Sequence, residues 1–494
     1  MLVYLYLSRT NVQHLMTIDN LHFQTNYLSL DGEFYDITKP TPLDDPYFIS
    51  FNPNTAKLID LDSHAGDDPL FIELLNGTFI PKSASTFSMC YAGHQFSHYA
   101  SRLGDGRAIN LGSIKGWNLQ TKGSGETLYS RTADGRAALP SSIREYLMSE
   151  AMHHLGIPTT RALGIIGSKT KLLRNNIETA AIVMRMSPSW VRFGTFEYFY
   201  YLKEHDKLKT LADYAIAESY PHLTTDEDRY FKFFTEVLER TATLIAMWQG
   251  IGFCHGVMNT DNMSIAGLTL DYGPYAMLDD FKFGFVCNTT DKAGRYAYGE
   301  QPNVAYWNLT MLAKALSPLI DIKRMENKLE EYGASIYPKA YIHIMCQKLG
   351  LELRLEEDQQ LITSLIGTLQ DAYIDHTQFF RALSRYDGER MPIFELAMNP
   401  VPFDTWLTLY DARLAKESRT QKQREKAMLQ TNPKYILKNY MLDQGIALAK
   451  RGDFSMVETL LHIAQHPYDE LPEYEKFAGE TPEEHKNITL SCSS

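Results

Sequence analysis

Cysteine is scarce in this sequence, and no two cysteines form a Cys-x-x-Cys pair. The chain of 494 residues has five cysteines, at positions 90, 254, 287, 346 and 492. Scattered cysteines do not supply the paired thiolates of a zinc site, and a low count suits a reducing compartment. Cys492 lies in the final four residues, "SCSS". An accessible redox thiol and an incidental tail cysteine are both open interpretations of it.

An excess of basic residues and a long apolar run are also absent. Lys and Arg number 48 against 60 Asp and Glu, a net charge of −12. This balance argues against a nucleic-acid binder but leaves room for a local basic pocket that binds phosphate. No run approaches the ~20 apolar residues of a membrane span, and the opening "MLVYLYLSR" is too short for a secretory signal. We therefore expect a cytoplasmic protein with no membrane partner, of unknown oligomeric state.

The two common glycine signatures of nucleotide sites are missing as well. In "LGDGRA", Gly104 and Gly106 flank Asp105. No Gly-Lys-Ser/Thr follows, which excludes a Walker loop, and no helix opens there, which excludes a dinucleotide fingerprint. Glycines let backbone N–H groups approach phosphate closely, but a plain hairpin turn explains the same pattern.

The order of elements predicts an α+β protein with a helical C-terminal part. Hydrophobic residues make up 44 %, enough for a large core, and the length suits two to four domains or one two-lobed enzyme. We predict two strands around a turn within 107–125, a strand over 179–187, and an irregular proline-rich stretch over 30–60. Helices are predicted over 140–155, 226–250 and 303–316, with mostly helical structure from 320 to 465.

Lys122 leaves an extended stretch towards a glycine turn, from which a lysine can reach phosphate oxygens. A solvated lysine is the alternative. The helix over 140–155 offers Glu145 and Glu150 as partners, as in kinase-like sites where a helix carboxylate holds such a lysine. Ser142 with Glu145 also fits a capping box, and helical phase places Glu150 nearer the apolar stripe. Spacing alone leaves the partner of the lysine undecided.

Arg185 and Arg192 flank "MSPSWV", close to a strand and a proline turn. Two arginines there could bind phosphates in a bidentate manner. Surface salt bridges are the other interpretation.

The stretch "HGVMNTDNMSIAGLTLDYG" combines polar and apolar residues in an unusual way. Asp261, Asn262 and Asp271 lie among Met, Ile, Leu and Gly, where buried polar groups need a partner. Kinases place a catalytic aspartate that acts as a base, an Asn metal ligand, a strand pair and then Asp-Phe-Gly in this order. A carboxamide and a carboxylate suit Mg²⁺, so the segment reads as a catalytic loop, a short hairpin and a metal loop. The His-Arg-Asp of ordinary kinases is absent.

Taken together, the motifs resemble the selenoprotein O family of kinase-like protein adenylyltransferases. The stretches that carry the resemblance run from about residue 34 to the end, and they are "YAGHQF", "LGDGRA", "KGSGETLYSRTADGRAALPSSIREYLMSEAMHHLGIPTTRAL", "RFGTFE", "HGVMNTDNMSIAGLTLDYGPY", "GRYAYGEQP" with "WNL", "NPKYILKNY" and "SCSS". The resemblance implies a two-lobed protein-kinase-like fold with an extended helical C-terminal region. It also implies transfer of AMP from ATP, bound in a flipped orientation, to Ser, Thr or Tyr hydroxyls of proteins, with release of pyrophosphate.

The resemblance further implies a role for each matching residue. Asp261 would accept the hydroxyl proton, and Asn262 and Asp271 would ligate Mg²⁺, with Mn²⁺ as an alternative ion. Glu145 would pair with Lys122. The residues that would contact the nucleotide are Gly104, Gly106, Arg107, Lys122, Asp134, Gly135, Arg185, Arg192 and Asp271.

Two features of the sequence qualify the resemblance. Ser97 in "YAGHQFS" stands where the family usually has Gly, and Cys492 stands where eukaryotic members carry selenocysteine. The resemblance thus makes Cys492 a redox candidate, with Cys287 as the suggested disulfide partner, in a bacterial cytoplasmic member of the family.

From these observations we divide the chain into four parts. They are an N-terminal segment (1–30), with disorder and an alternative start at Met16 both open; a strand-bearing part with the nucleotide loop (31–200); a catalytic and metal-binding lobe (201–320); and a helical extension with the redox-candidate tail (321–494). The predicted function is protein AMPylation with ATP. An ordinary phosphotransferase and a catalytically silent pseudokinase scaffold are the alternatives.

Overall fold

The computed structural model describes residues 15–486 and 488–491, which form a mixed α/β structure with antiparallel sheets and a helical C-terminal region. The strands are β1 Tyr35–Ile37, β2 Tyr47–Phe51, β3 Phe87–Met89, β4 Gly93–Gln95, β5 His98–Ala100, β6 Ala108–Ile114, β7 Trp117–Lys122, β8 Ala137–Ala138, β9 Arg161–Leu173, β10 Ile177–Ser187, β11 Phe253–Cys254 and β12 Ala276–Met277.

Most of the helices follow the sheet in the chain. The helices are α1 Pro53–Ala56, α2 Pro69–Asn76, α3 Leu139–His154, α4 Phe193–Tyr201, α5 His205–Ser219, α6 Arg229–Ile251, α7 Gln301–Leu316, α8 Ile322–Glu331, α9 Tyr337–Lys348, α10 Asp358–Ala372, α11 His376–Ser384, α12 Met391–Phe394, α13 Val401–Leu414, α14 Gln421–Leu429, α15 Asn439–Ala449 and α16 Ser455–Gln465. The predicted helices correspond to α3, α6 and α7, and the predicted strands to β6, β7 and β10.

An eight-stranded sheet forms the framework of the N-terminal part. Its strand order is β1-β3-β6-β7-β10-β9-β2, with β8 beside β10, and neighbouring strands are antiparallel. The β6–β7 hairpin turns at Lys115 and Gly116, whose φ angles of 50° and 80° match a tight turn that follows the sheet twist. This hairpin and β10 bring Lys122 opposite Val183 in the middle of the sheet.

The proline-rich stretch over 30–60, predicted to be irregular, contains regular secondary structure. Strand β2 lies within it, and Pro53 begins α1 rather than preventing it. Asn52 accepts hydrogen bonds from the N–H groups of Asn54 and Thr55, and proline is well tolerated at a first helical position because its missing N–H would have no partner there.

Helix α3 lies between the sheet and the C-terminal helices. It packs on β9 and β10 on one side and on α15 and α16 on the other. Arg144 on α3 donates to Asn439 Oδ1 at 2.6 Å and to Asp443 Oδ1 at 3.2 Å, both on α15. The helical C-terminal region is therefore joined to the sheet through this helix.

One hydrophobic core cluster runs from the N-terminal part to the end of the helical region. It includes Tyr27, the sheet residue Val183, Trp248 of α6 and Ala478. The N-terminal part and the helical region therefore share one core. The predicted N-terminal segment contributes to the cores through Ile18, Leu21 and Tyr27, while residues 1–14 lie outside the described residues.

Candidate active site

A buried set of charged side chains forms where the sheet, α3 and the Asp271 loop meet. Lys122 on β7 lies with its Nζ 2.6 Å from Glu145 Oε2 on α3 and 3.0 Å from Asp271 Oδ1. Arg185 on β10 lies with its Nη1 2.7 Å from Glu145 Oε1 and 2.6 Å from Asp271 Oδ1. Residues predicted from four separate motifs are thus in direct contact.

Arg192 joins this set to the loop that carries Asp261. Its Nη1 donates to Asp271 Oδ2 at 2.5 Å and to the backbone carbonyl of Asp261 at 2.7 Å. Arg192 precedes α4, and its backbone pairs with that of Ser264 in an isolated bridge. We call Lys122, Glu145, Arg185, Arg192 and Asp271 the charged cluster. It has three cations and two carboxylates, a net charge of +1.

The charges perturb one another in the expected directions. Burial opposes ionisation of Asp271, but Arg192, Lys122 and Arg185 hold its pKa well below its usual range. Burial lowers the pKa of Lys122, and the two carboxylates offset part of that shift. Asp271 has a φ of 56°, a left-handed conformation that is rare for aspartate. Such a conformation persists only where surrounding contacts impose it, and it is common at functional sites.

Both arginines of the charged cluster stack on aromatic rings. The guanidinium of Arg185 lies 4.7 Å from the ring centroid of Trp190, and that of Arg192 lies 4.8 Å from the ring of Tyr91. Within residues 15–486, the buried Nε of each arginine has no hydrogen-bond partner. Planar, oriented guanidinium groups with unused donors suit an oxyanion ligand.

Asp261 lies beside the charged cluster in a short helical turn, Thr260–Asn262. Its Oδ2 accepts a hydrogen bond from Gln95 Nε2 at 3.3 Å, while Oδ1 is buried and has no partner among the described residues. Burial raises the pKa of Asp261 to about 7, although Arg192 lowers it in part. A carboxylate with a pKa near neutrality is suited to general-base catalysis.

Asn262 offers an amide oxygen next to this base. Its Nδ2 donates to the carbonyl of Val257 at 2.9 Å, which fixes the orientation of the amide. Among residues 15–486 and 488–491, no three His, Cys, Asp or Glu side chains are arranged to hold a metal ion. The Asn262 and Asp271 oxygens are hard ligands that fit Mg²⁺ when substrate phosphates complete the coordination shell.

The glycine loop lies between β5 and β6, next to Lys122 in the sheet register. Gly104 has a φ of 66°, and a Cβ on either Gly104 or Gly106 would collide with Tyr129. Asp105 is buried and accepts from Asn110 Nδ2 at 2.9 Å, so its role is to hold the loop. Arg107 is exposed, and its carbonyl accepts from the N–H of Gly123 at 2.7 Å.

The Asp134–Gly135 turn lies beside the glycine turn that follows Lys122, where the N–H of Gly125 donates to the carbonyl of Gly135 at 3.2 Å, but its side-chain contacts are separate from the charged cluster. Asp134 accepts two hydrogen bonds from Arg174, each 2.8 Å long. Gly135 has a φ of 65° and packs against Gly125, just beyond Lys122 in the chain. The structure therefore brings the turn to the edge of the site with its carboxylate already paired.

Comparison with known proteins decides the family. The family described as protein adenylyltransferase SelO matches residues 17–465. The chain belongs to the SelO family. It is 45 % identical over 487 residues to the protein nucleotidyltransferase YdiU of Myxococcus xanthus, covering 97 % of this chain and 100 % of the relative. The YdiU proteins of Thiobacillus denitrificans and Pseudomonas aeruginosa (strain LESB58) are 45 % and 42 % identical over 488 and 489 residues, with the same coverage.

Membership in the SelO family confirms the resemblance seen in the sequence. The chain is a protein nucleotidyltransferase of the adenylyltransferase type, with ATP and proteins as its substrates. Within the described residues, no helix has both the length and the apolar character to cross a bilayer.

The structure also decides which glutamate of this SelO protein faces Lys122. Glu150 is fully buried and pairs with Arg161, at 2.8 Å and 2.7 Å. Glu145 is the residue that contacts Lys122, as the family resemblance implied. Helical phase had instead placed Glu150 nearer the apolar stripe. The capping-box alternative is wrong, because α3 begins at Leu139 and the Ser142 hydroxyl lies inside the helix without a partner among residues 15–486.

Of the two redox candidates, Cys287 is among the residues that the structure describes. Cys492 lies outside the described residues. Cys287 is buried, and its Sγ lies 3.4 Å from Cys254 Sγ. The N–H of Leu490 donates to the carbonyl of Cys287 at 2.9 Å, and Leu490 forms a parallel bridge with Asn288. The chain segment before Cys492 therefore runs beside Cys287.

Sequence reasoning missed a buried polar group that supports the Asp261 loop. His94 Nδ1 lies 3.0 Å from Glu197 Oε1, and the Thr260 hydroxyl donates to Glu197 Oε2 at 2.8 Å. His94 and Glu197 are 103 positions apart in the chain, and Glu197 and Thr260 are 63 positions apart. The quoted motifs "YAGHQF" and "RFGTFE" contained two of them, but nothing in their spacing indicated contact.

Proposed function

We propose that the enzyme transfers AMP from ATP to Ser, Thr or Tyr hydroxyls of proteins and releases pyrophosphate. The observation that carries the proposal is the contact of three cations with Asp271 beside the buried carboxylate of Asp261. In this reaction the acceptor oxygen attacks the α-phosphorus, and the bond to the bridging oxygen of the β-phosphate breaks. The acceptor proton passes to Asp261, and pyrophosphate leaves with the electron pair of the broken bond.

Each residue of the charged cluster has a role that its position supports. Lys122, Arg185 and Arg192 stabilise the negative charge that develops on pyrophosphate, because preorganised cations act strongly in a buried site. Glu145 orients Lys122 and Arg185 through the two short contacts described above. Gly104, Gly106, Arg107, Asp134 and Gly135 line the nucleotide beside β6 and β7. Asp134 would have to share or leave its pairing with Arg174 to reach the ligand.

We assign Mg²⁺, with Mn²⁺ as an alternative, to Asn262 and Asp271. The ion would polarise phosphate oxygens and neutralise part of their charge. Both side chains provide oxygen donors, and the paired Asp271 is ionised under ordinary conditions, since neighbouring cations hold its pKa low. A ligand role requires Asp271 to give up part of its contacts with the three cations.

The arrangement supports a protein-kinase-like, two-lobed fold. A strand lysine, a helix glutamate, an Asp-Asn loop and an Asp-Tyr-Gly loop occur in the order found in kinases. The same four parts meet at one site here. A net charge of −12 and the lack of a membrane-spanning helix within the described residues favour a cytoplasmic enzyme that acts on proteins rather than nucleic acids.

Labelled ATP tests the reaction type. Incubation with protein acceptors should leave the α-phosphate label on protein and the γ-phosphate label in pyrophosphate. Retention of the γ-label instead would establish an ordinary phosphotransferase, and nucleotide binding without transfer at any metal would establish a scaffold. Intact mass spectrometry provides an independent measurement, since one adenylyl group and one phosphoryl group differ clearly in mass.

Two variants test the assigned roles. Asp261→Ala should abolish transfer and leave ATP affinity largely intact, because the side chain acts on the acceptor proton. Asp271→Ala should weaken binding of the metal–nucleotide complex, measured by calorimetry. Full activity of the first variant, or unchanged affinity of the second, would contradict the corresponding role.

We also propose, from the family pattern, that Cys492 forms a reversible disulfide that regulates the enzyme, with Cys287 as its partner. The bridge between Leu490 and Asn288 supports this pairing. An oxidant should change the transfer rate of the wild type and leave Cys492→Ser unaffected. Peptide mapping of the oxidised protein would distinguish Cys287 from its neighbour Cys254 as the bonded thiol.

A further inference from the structure

A short hairpin covers the Asp261 loop and contacts it at several points. Strands β4 and β5 pair through Gly93–Ala100, His94–Tyr99 and Gln95–His98. The two turn residues, Phe96 and Ser97, have φ angles of 49° and 70°. Two consecutive residues with positive φ form the tight type I′ turn, so the backbone of Gln95 is fixed directly at the turn.

The hairpin is attached to the Asp261 loop at two points. The N–H of His94 donates to the Thr260 hydroxyl at 2.7 Å, and Thr260 in turn donates to Glu197. The N–H of Phe96 donates to the Tyr296 hydroxyl at 3.0 Å, and that hydroxyl donates to Asn259 Oδ1 at 2.6 Å. The hairpin thus bonds, directly or through one side chain, to the two residues that precede Asp261.

Between these attachments lies the side chain of Gln95. Its Nε2 donates to Asp261 Oδ2 at 3.3 Å, the sole side-chain hydrogen bond to that carboxylate among the described residues. The other oxygen, Oδ1, is buried against Gly93 and unpartnered within residues 15–486. The hairpin therefore holds both oxygens of the carboxylate in place, Oδ2 by the Gln95 hydrogen bond and Oδ1 by its close approach to Gly93.

We propose that Gln95 is a positioning residue for Asp261: its hydrogen bond to Oδ2 fixes the orientation of the carboxylate that accepts the proton of the acceptor hydroxyl. Gln95 acts through Asp261 and makes no hydrogen bond to Lys122 of β7 or Arg185 of β10. It should therefore affect the chemical step and not nucleotide binding. The inference rests on the proposed function, because it requires Asp261 to be the base.

The test compares Gln95→Leu and Gln95→Glu with the wild type. The first variant removes the donor at similar size, and the second is isosteric but replaces the donor by an acceptor. His98→Ala, an exposed residue across the same turn, is the matched control. Transfer from α-labelled ATP to casein and to the enzyme itself gives kcat and KM for ATP. Calorimetry gives ATP affinity, and thermal melting checks the fold.

We expect both Gln95 variants to lose roughly tenfold to a hundredfold in kcat, since a misplacement of about 1 Å can cost a factor of that size. KM for ATP, ATP affinity and Tm should stay close to the wild type, and His98→Ala should behave as the wild type. A kcat within about twofold of the wild type in either variant that folds overturns the proposal, as does an equal loss of kcat and ATP affinity.

The outcome also separates this inference from the proposed function. If Asp261→Ala keeps transfer activity, the assignment of the base fails, and the role of Gln95 fails with it. If Asp261→Ala is inactive and the Gln95 variants are fully active, Asp261 remains the base and the positioning role alone is wrong.

Discussion

Replacing Gly93 by alanine is a direct test of how closely the Asp261 carboxylate must be placed. Gly93 has no positive φ, so its backbone accepts alanine without strain. A Cβ built there would lie 2.6 Å from Asp261 Oδ1 and 2.8 Å from its Cβ. The methyl group therefore has one main consequence, which is to push the Asp261 side chain away from its present position.

The size of the displacement follows from these distances. Ordinary contacts to a Cβ begin near 3.4 Å, so Asp261 Oδ1 must retreat by about 0.8 Å from its 2.6 Å approach. A shift of roughly 1 Å in a catalytic group can cost about a hundredfold in rate. That factor corresponds to about 2.7 kcal/mol in the activation free energy. We expect kcat for AMP transfer to fall by that order, with ATP affinity unchanged.

Steady-state transfer of the α-label provides kcat, and calorimetry provides ATP affinity. Gly284→Ala is the matched control, because a Cβ there has no atom within 4 Å and its φ is not positive. The reasoning is refuted if Gly93→Ala retains wild-type kcat. A loss of kcat in Gly284→Ala of the same size would show that the assay responds to glycine replacement in general.

Three further predictions concern the stability of the fold. Arg161→Leu should lower the free energy of unfolding by about 3–5 kcal/mol, because it leaves the buried charge of Glu150 unpaired. Thermal melting measures this loss. The ATP affinity of the folded variant should not change. Ser97→Gly should stabilise the protein by about 1 kcal/mol, since glycine tolerates the left-handed φ of 70°; an unchanged or lower Tm would contradict it. Burial lowers the pKa of Lys348 to about 7, so between pH 7 and about pH 10 the unfolded chain binds a proton that the folded chain does not. Stability should therefore rise with pH in that window, by up to about 1.4 kcal/mol per pH unit, and Lys348→Met should lose this slope in melts at pH 7 and pH 9.

The sequence predicted most of the candidate site because its residues lie in ordered motifs. Asp261, Asn262 and Asp271 follow one another within eleven residues, and a short hairpin, with the bridge between Met263 and Thr269, brings the two aspartates together. Lys122 was identified because it ends a strand before a glycine turn. Local spacing carries this kind of information, since strand and hairpin geometry fix which residues lie close together.

The choice between Glu145 and Glu150 could not be made from helical phase, for a physical reason. Phase identifies a partner when a helix has one buried face, but α3 is buried at every position from Ser142 to Met152. A helix covered on all sides has no apolar stripe that separates inside from outside. The partners of His94, Gln95 and Asp134 were equally hidden, because these contacts join residues far apart in the chain.

The position of α3 between the sheet and the C-terminal helices limits how the enzyme can be switched on and off. In kinases, displacement of the helix that carries the glutamate separates it from the lysine and silences catalysis. Here such a movement would break the bonds of Arg144 to Asn439 and Asp443 and uncover the packed surface of α16. Control by displacement of α3 is therefore not expected in this enzyme. Removal of the C-terminal helices should inactivate it rather than release it from inhibition.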